Sequence, residues 1–200
     1  SVLFQSITAA RGFNKHGKLD IPDLKKIVGI TLVGGLAGSL VASYMPPEFL
    51  KPTLLTAMVL MAGIILFKPA VVAPPEGTVS LKISESSSSI PMLLLAGFYG
   101  GFVQAGVGFI LIAAIAGSLR YDLVRSNALK IVCTLGFTAI ALIVFIWNDQ
   151  ILWLPGLLLA VGSIVGAHLA VKITINLSQR ALKWFLFIMT LVASAAALML

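Results

Sequence analysis

The sequence predicts an all-α integral membrane protein. It reads as two inverted-topology repeats, each a glycine-broken re-entrant helical hairpin followed by three transmembrane helices, with the first hairpin missing from this chain. Three observations carry that prediction. Hydrophobic residues make up 59% of the chain and charged residues 10%, against about 25% charged in a soluble domain. The stretch Ile90–Leu119 holds no charge, yet Gly97, Gly100, Gly101, Gly106 and Gly108 interrupt it. The basic residues cluster in short segments between apolar spans, as membrane topology requires.

The glycine-broken stretch organises the rest. Glycine costs about 1 kcal/mol against alanine inside a helix, so two half-helices joined by a turn fit better than one smooth helix. A half-helix starting near Phe102 is expected after the break. In a bilayer such a break is tolerated where it is buried in protein or lines a cavity, and discontinuous helices of this kind build midplane transport sites.

In chain order, Ser1–Ala10 reads as the tail of a helix already under way, and the chain is taken to lack its natural beginning. Arg11–Lys26 is a basic loop in which Pro22, with Asp20 and Asp23, suits a helix start. Apolar spans follow at Ile27–Tyr44 and Leu54–Phe67, joined by a tight turn at Met45-Pro46-Pro47-Glu48. Gly34 and Gly38 form a small-xxx-small pair that lets helix backbones approach. Ala70–Ser89, with Pro74-Pro75 and a serine run, reads as a mobile polar linker. After the broken stretch come spans at Ile131–Trp147, Ile151–Val171 and Trp184–Leu200. The domains expected are therefore an incomplete first repeat, 1–69, a cytoplasmic linker, 70–89, and a second repeat, 90–200.

Charge sets the topology. If Ile90–Leu119 enters and returns on one side, all of the 14 Lys and Arg residues except Lys51 fall on the cytoplasmic face. A single crossing there would flip the second half and scatter them. Gly34-x-x-x-Gly38-x-x-x-Ala42 echoes Gly162-x-x-x-Gly166-x-x-x-Ala170, and Thr8-Ala9 echoes Thr138-Ala139 in a span of opposite direction. These echoes are the signal for inverted repeats.

Several residues are candidates for chemistry. Gln104 sits in the break; its amide can donate two hydrogen bonds to an anion, or satisfy backbone groups that the break frees. Gly100, Gly101, Gly106 and Gly108 permit close backbone approach, either to an anion at a helix N-terminus or between helices. Asn127 and Lys130 open the next span. On the residues alone, Lys130 reads first as a topology anchor that snorkels to the interface; the other reading is a cation that attracts the substrate. Thr134 and Thr138 share its face at i+4 and i+8 and either line a path or bond back to the helix carbonyls. Ser6 and Thr8 are their counterparts in the first half. His168 reads as an interfacial packing residue, with proton coupling as the alternative. Cys133, without a base or cation beside it in sequence, reads as buried filler. One cysteine and two isolated histidines give no metal site, no cofactor is expected, and the charge distribution argues against nucleic acid.

The run Gly97-Phe98-Tyr99-Gly100-Gly101-Phe102-Val103-Gln104-Ala105-Gly106-Val107-Gly108-Phe109 resembles the second-half motif of the sulfite exporter TauE/SafE family. Tyr121-Asp122-Leu123-Val124-Arg125-Ser126-Asn127-Ala128-Leu129-Lys130 is also similar to that family, as is Gly156-Leu157-x-x-Ala160-x-Gly162-x-x-x-Gly166-Ala167. The resemblance implies a multi-pass permease of the cell inner (plasma) membrane that moves small sulfur-containing or organic anions such as sulfite or sulfonates, typically outward. It also implies a glycine-rich hairpin and an Asn-Lys segment before the position of Ser1, both absent here. The partners expected are a small anionic substrate and the lipid bilayer, with a homodimer left open. An enzyme is not expected, because no nucleophile–base pair is visible. An anion channel and a non-transporting membrane subunit are the rival readings.

Overall fold

Helix α1 runs over Leu24–Tyr44, 21 residues, or about 31 Å, enough to cross a ~30 Å hydrocarbon core. It belongs to a computed structural model that describes residues 6, 21, 23–67, 78–162, 184, 187–192 and 195. The helix ends where the Met45 N–H bonds the Val41 carbonyl at 3.0 Å and Pro46 follows, since the residue before a proline is disfavoured in the helical region. Helix α2 spans Pro47–Phe67. The expected turn therefore closes two residues early: Pro47 is the first residue of α2, where its missing N–H costs nothing.

Helix α3 spans Ser89–Phe102 and α4 Val107–Leu119, 14 and 13 residues. At about 21 and 20 Å each, neither reaches across a bilayer alone. Helix α5, Leu123–Trp147, has 25 residues and begins eight positions before the apolar run Ile131–Trp147, because Asp122 caps it: its side chain accepts from the Arg125 N–H at 2.9 Å. Trp153–Gly162 forms α6. Among the described residues, three helices are long and apolar enough to cross a membrane: Leu24–Tyr44, Pro47–Ile64 and Leu123–Trp147. The second half of the echo at Gly162–Ala170 lies largely outside the described residues, as do Thr8, His16 and His168.

The chain divides into two compact units. One contains α2 and α6; the other contains α1, α3, α4 and α5. In the second unit α1 and α3 run in the same direction, since Gly34 meets Leu94 and Gly38 meets Phe98 one turn further along both helices. Helix α5 runs the same way, with Gly136 against Leu32 and Gln150 against Ser43. Helix α4 comes back: the Leu81 N–H, just before α3, bonds the carbonyl of Leu119, the last residue of α4, at 2.8 Å. The glycine-broken stretch is thus a helical hairpin whose two feet meet.

The feet are held at the end where α1 and α5 begin. The Asp23 carboxylate pairs with Lys26 at 3.0 Å and accepts the Ile83 N–H at 3.3 Å. The Lys26 hydrogen bond is the main reason its pKa lies below the ordinary 3.8, helped by Ile83 and opposed by desolvation. Lys25, Lys26, Lys82, Arg120 and Arg125 all lie near this end, as the charge reading requires. Residues 78–89, expected as the end of a mobile linker, are ordered here: Ile83–Glu85 form a 3-10 turn, and buried Ser89 donates to the carbonyls of Ile83 and Ser86 at 3.2 and 2.8 Å. At the opposite end, Ser43 donates to Gln150 Oε1 at 2.8 Å and Gln150 Nε2 returns a bond to the Ser43 carbonyl at 2.7 Å.

Three of the five expected break glycines pack helices together. A Cβ on Gly97 would strike the Thr31 carbonyl, one on Gly101 the Gly35 carbonyl, and one on Gly100 would lie 2.7 Å from Phe137 Cζ. Phe137, fully buried, fills the wedge between α1 and α3. The core continues through Ile27, Leu93, Leu111 and Leu129.

Candidate functional site

The break occupies residues 103–106, so the second half-helix begins at Val107 and not near Phe102, which is the last residue of α3. Two residues there have left-handed backbones: Gln104, φ 64, and Gly106, φ 71. Glycine takes that conformation freely. For glutamine it costs on the order of 1 kcal/mol, so the surrounding bonds must hold it.

Those bonds come from Tyr99 and Thr138. The Tyr99 carbonyl accepts the N–H groups of Val103 and Gln104 at 2.8 and 3.1 Å. Its hydroxyl reaches over the turn and donates to the Ala105 carbonyl at 2.7 Å. The Gln104 amide donates through Nε2 to Thr138 Oγ1 on α5 at 2.6 Å. The Gln104 side chain thus ties the break to α5 through a hydroxyl, and not through backbone groups that the break frees.

Lys130 lies beside the first turn of α4. A Cβ built on Gly108 would stand 3.2 Å from Lys130 Cδ and 3.9 Å from Nζ. No carboxylate pairs with this ammonium among the described residues. The first turn of α4 already carries the positive end of the helix dipole, and the N–H groups of Gly106 and Gly108 make no hydrogen bond among the described residues. Positive charge thus meets positive dipole, an arrangement that is unfavourable until an anion joins them.

Asn127, Lys130, Thr134 and Thr138 follow one another along α5 at spacings of three, four and four residues, which puts them on one face. From Asn127 to Thr138 the stripe climbs about 16 Å. Neither threonine hydroxyl bonds back to its own helix among the described residues, and the Thr134 hydroxyl makes no hydrogen bond there. Gly100 and Gly101 fall outside this stripe, seated against Phe137 and α1. Ser6 is buried in helical backbone. Tyr99 was missed by the sequence reading; its one signal was a hydroxyl placed one helical turn ahead of the break.

The sulfite exporter TauE/SafE family matches residues 1–197. The chain belongs to that family. Its relatives include the probable membrane transporter protein YfcA of Escherichia coli (strain K12), 22% identical over 96% of this chain and 71% of the relative. A probable membrane transporter protein, ORF9, of Sinorhizobium sp is 23% identical over 94% of this chain and 71% of its own length. No solved structure matches. TauE/SafE membership and the apolar helices make this a multi-pass inner-membrane protein of a transporter family, set in a lipid bilayer and acting on a small molecule.

Proposed function

We propose that this protein is a secondary transporter for small sulfur-containing anions, sulfite or a sulfonate, exporting them by alternating access. The single observation that carries the reading is the Lys130 ammonium set against the N-terminal turn of α4 with no carboxylate between them. A membrane interior tolerates such a charge only for a reason, and an oxyanion supplies one. It would accept hydrogen bonds from the Gly106 and Gly108 N–H groups, from Gln104 and from Lys130, while Thr134 and Thr138 line the approach and Asn127 stands at its inner mouth. Gly100 and Gly101 would serve by seating the hairpin. Ser6 and Thr8 would contribute from the first repeat, residues 1–69, which the linker 70–89 joins to the second repeat, 90–200. The family's description as sulfite exporters supports the substrate class and the direction.

The test is flux into proteoliposomes containing the full-length protein, comparing sulfite, thiosulfate, sulfate and a small sulfonate with and without a proton gradient. Saturable flux of one sulfur anion, abolished by Gln104→Leu in protein that still folds, is expected. Flux that never saturates would assign a channel instead. Folded protein that moves none of the four anions would sink the substrate class.

A further inference from the structure

We infer that Tyr99 is a positioning residue that sets the polarity of the anion site by fixing one peptide plane, and the inference rests on the anion reading above. The plane is the one between Ala105 and Gly106. Its carbonyl oxygen accepts the Tyr99 hydroxyl at 2.7 Å. Every described peptide bond is trans, so the Gly106 N–H points away from the carbonyl it shares the plane with. Holding the oxygen on the Tyr99 side therefore turns the N–H to the opposite side, where it meets no hydrogen-bond partner among the described residues.

This plane is the easiest in the hairpin to turn over. A flip changes the backbone angle before it, at Ala105, and the one after it, at Gly106. Gly106 has no Cβ and accepts either sign of φ; it stands at φ 71. The two orientations have opposite meanings for a ligand. One presents an N–H donor two residues before Gly108, the glycine that Lys130 lies against, and the other presents a carbonyl oxygen that repels an anion. The tyrosine hydroxyl selects the first. Its own backbone carbonyl adds to the selection by accepting the Val103 and Gln104 N–H groups, which fixes the residues on the other side of Ala105. Tyr99 itself sits one turn away, half-buried on α3, and acts on the anion only through this plane.

Tyr99→Phe removes the hydroxyl and keeps the ring in its packing. In proteoliposomes, KM for the transported sulfur anion is expected to rise about tenfold, the loss of one charge-assisted hydrogen bond, with the maximal rate within about twofold of wild type. A purely structural role would instead lower the maximal rate and the thermal midpoint together at unchanged KM, and that result overturns the inference. A second measurement reads the plane directly. With 15N-glycine labelling and Gly106 assigned by its loss in Gly106→Ser, titration with sulfite should shift the Gly106 amide in wild type and leave it unshifted in Tyr99→Phe; equal shifts in both overturn the inference. The two levels fail separately. If wild type transports, Lys130→Gln impairs it and Tyr99→Phe behaves as wild type, only the role of Tyr99 falls. If wild type neither binds nor moves any sulfur anion, both fall.

Discussion

Gly101 of α3 lies so close to the Gly35 carbonyl of α1 that a methyl group has no room between them, and the same relation repeats one turn earlier between Gly97 and Thr31. On the facing helix Gly34 and Gly38 receive the carbonyls of Leu94 and Phe98. The two helices press backbone to backbone, the close approach that membrane interiors favour because apolar side chains gain little by leaving lipid. Gly101→Ala should therefore drive α3 off α1 and destabilise the fold by about 1–3 kcal/mol or more. Gly117→Ala meets nothing within 4 Å and should be neutral or stabilising by up to about 1 kcal/mol. Thermal unfolding of the two variants in detergent checks both; equal midpoints would contradict the packing account.

A cap starts the long helix. Asp122 is buried, accepts the Arg125 N–H at 2.9 Å, and stands 3.6 Å from the Arg125 side chain. Asp122→Ala should cost about 0.5–2 kcal/mol, with increased hydrogen exchange confined to the first turns of α5. Asp122→Asn or Asp122→Ser should recover most of it, because either side chain can accept the same N–H.

The hairpin was legible because its signals are local: an uncharged run, five close glycines, and basic residues on both sides. The charge count alone called for an even number of crossings, and the Leu81–Leu119 hydrogen bond joins the two feet accordingly. Gln104 was legible as part of the break, but the start of the second half-helix was not: it begins at Val107 and not near Phe102. Glycine marks both chain reversal and helix contact, and composition does not separate them. Gly97, Gly100 and Gly101 serve contact, while the reversal falls on Gln104 and Gly106, where Tyr99 and Thr138 supply the restraint. Helix starts were misread for a related reason. Apolar runs locate the part of a helix that faces lipid, and the polar turns before it at 123–130 belong to the same helix. That Lys130 has Gly108 as its neighbour was not legible either, because the contact joins two helices distant from each other in sequence.

Acid should loosen the hairpin feet through Asp23. Its carboxyl pKa is held below the ordinary 3.8, chiefly by the Lys26 hydrogen bond. A depressed carboxyl pKa stabilises the fold fully above the ordinary value, and the contribution disappears as pH falls below that value through the folded one. The difference in thermal midpoint between wild type and Asp23→Asn should thus be constant from neutral pH to about pH 5 and shrink below about pH 4. Because Lys26 is exposed, added salt should narrow the difference at every pH. A difference that persists unchanged to pH 3 would mean that Asp23 acts by shape and not by charge.

Lys130 gives the sharpest test of the electrostatic arrangement at the hairpin tip. Its ammonium lies beside the first turn of α4, without a carboxylate partner among the described residues, so in the empty state it opposes the helix dipole. Removing the charge has two consequences of opposite sign. Lys130→Gln should leave the ligand-free protein as stable as wild type or slightly more so, by up to about 1 kcal/mol. The same change should weaken sulfite transport by about 10–100-fold in the ratio of maximal rate to KM, the worth of a charge-assisted contact of about 1.5–3 kcal/mol. Lys130→Arg keeps the charge but is too broad for the space against Gly108, so it should recover only part of the flux. Thermal midpoints with and without sulfite separate the two effects: wild type should gain stability with sulfite, and Lys130→Gln should lose most of that gain. A snorkelling anchor would behave differently, with Lys130→Arg fully active and Lys130→Gln responding to sulfite as wild type does.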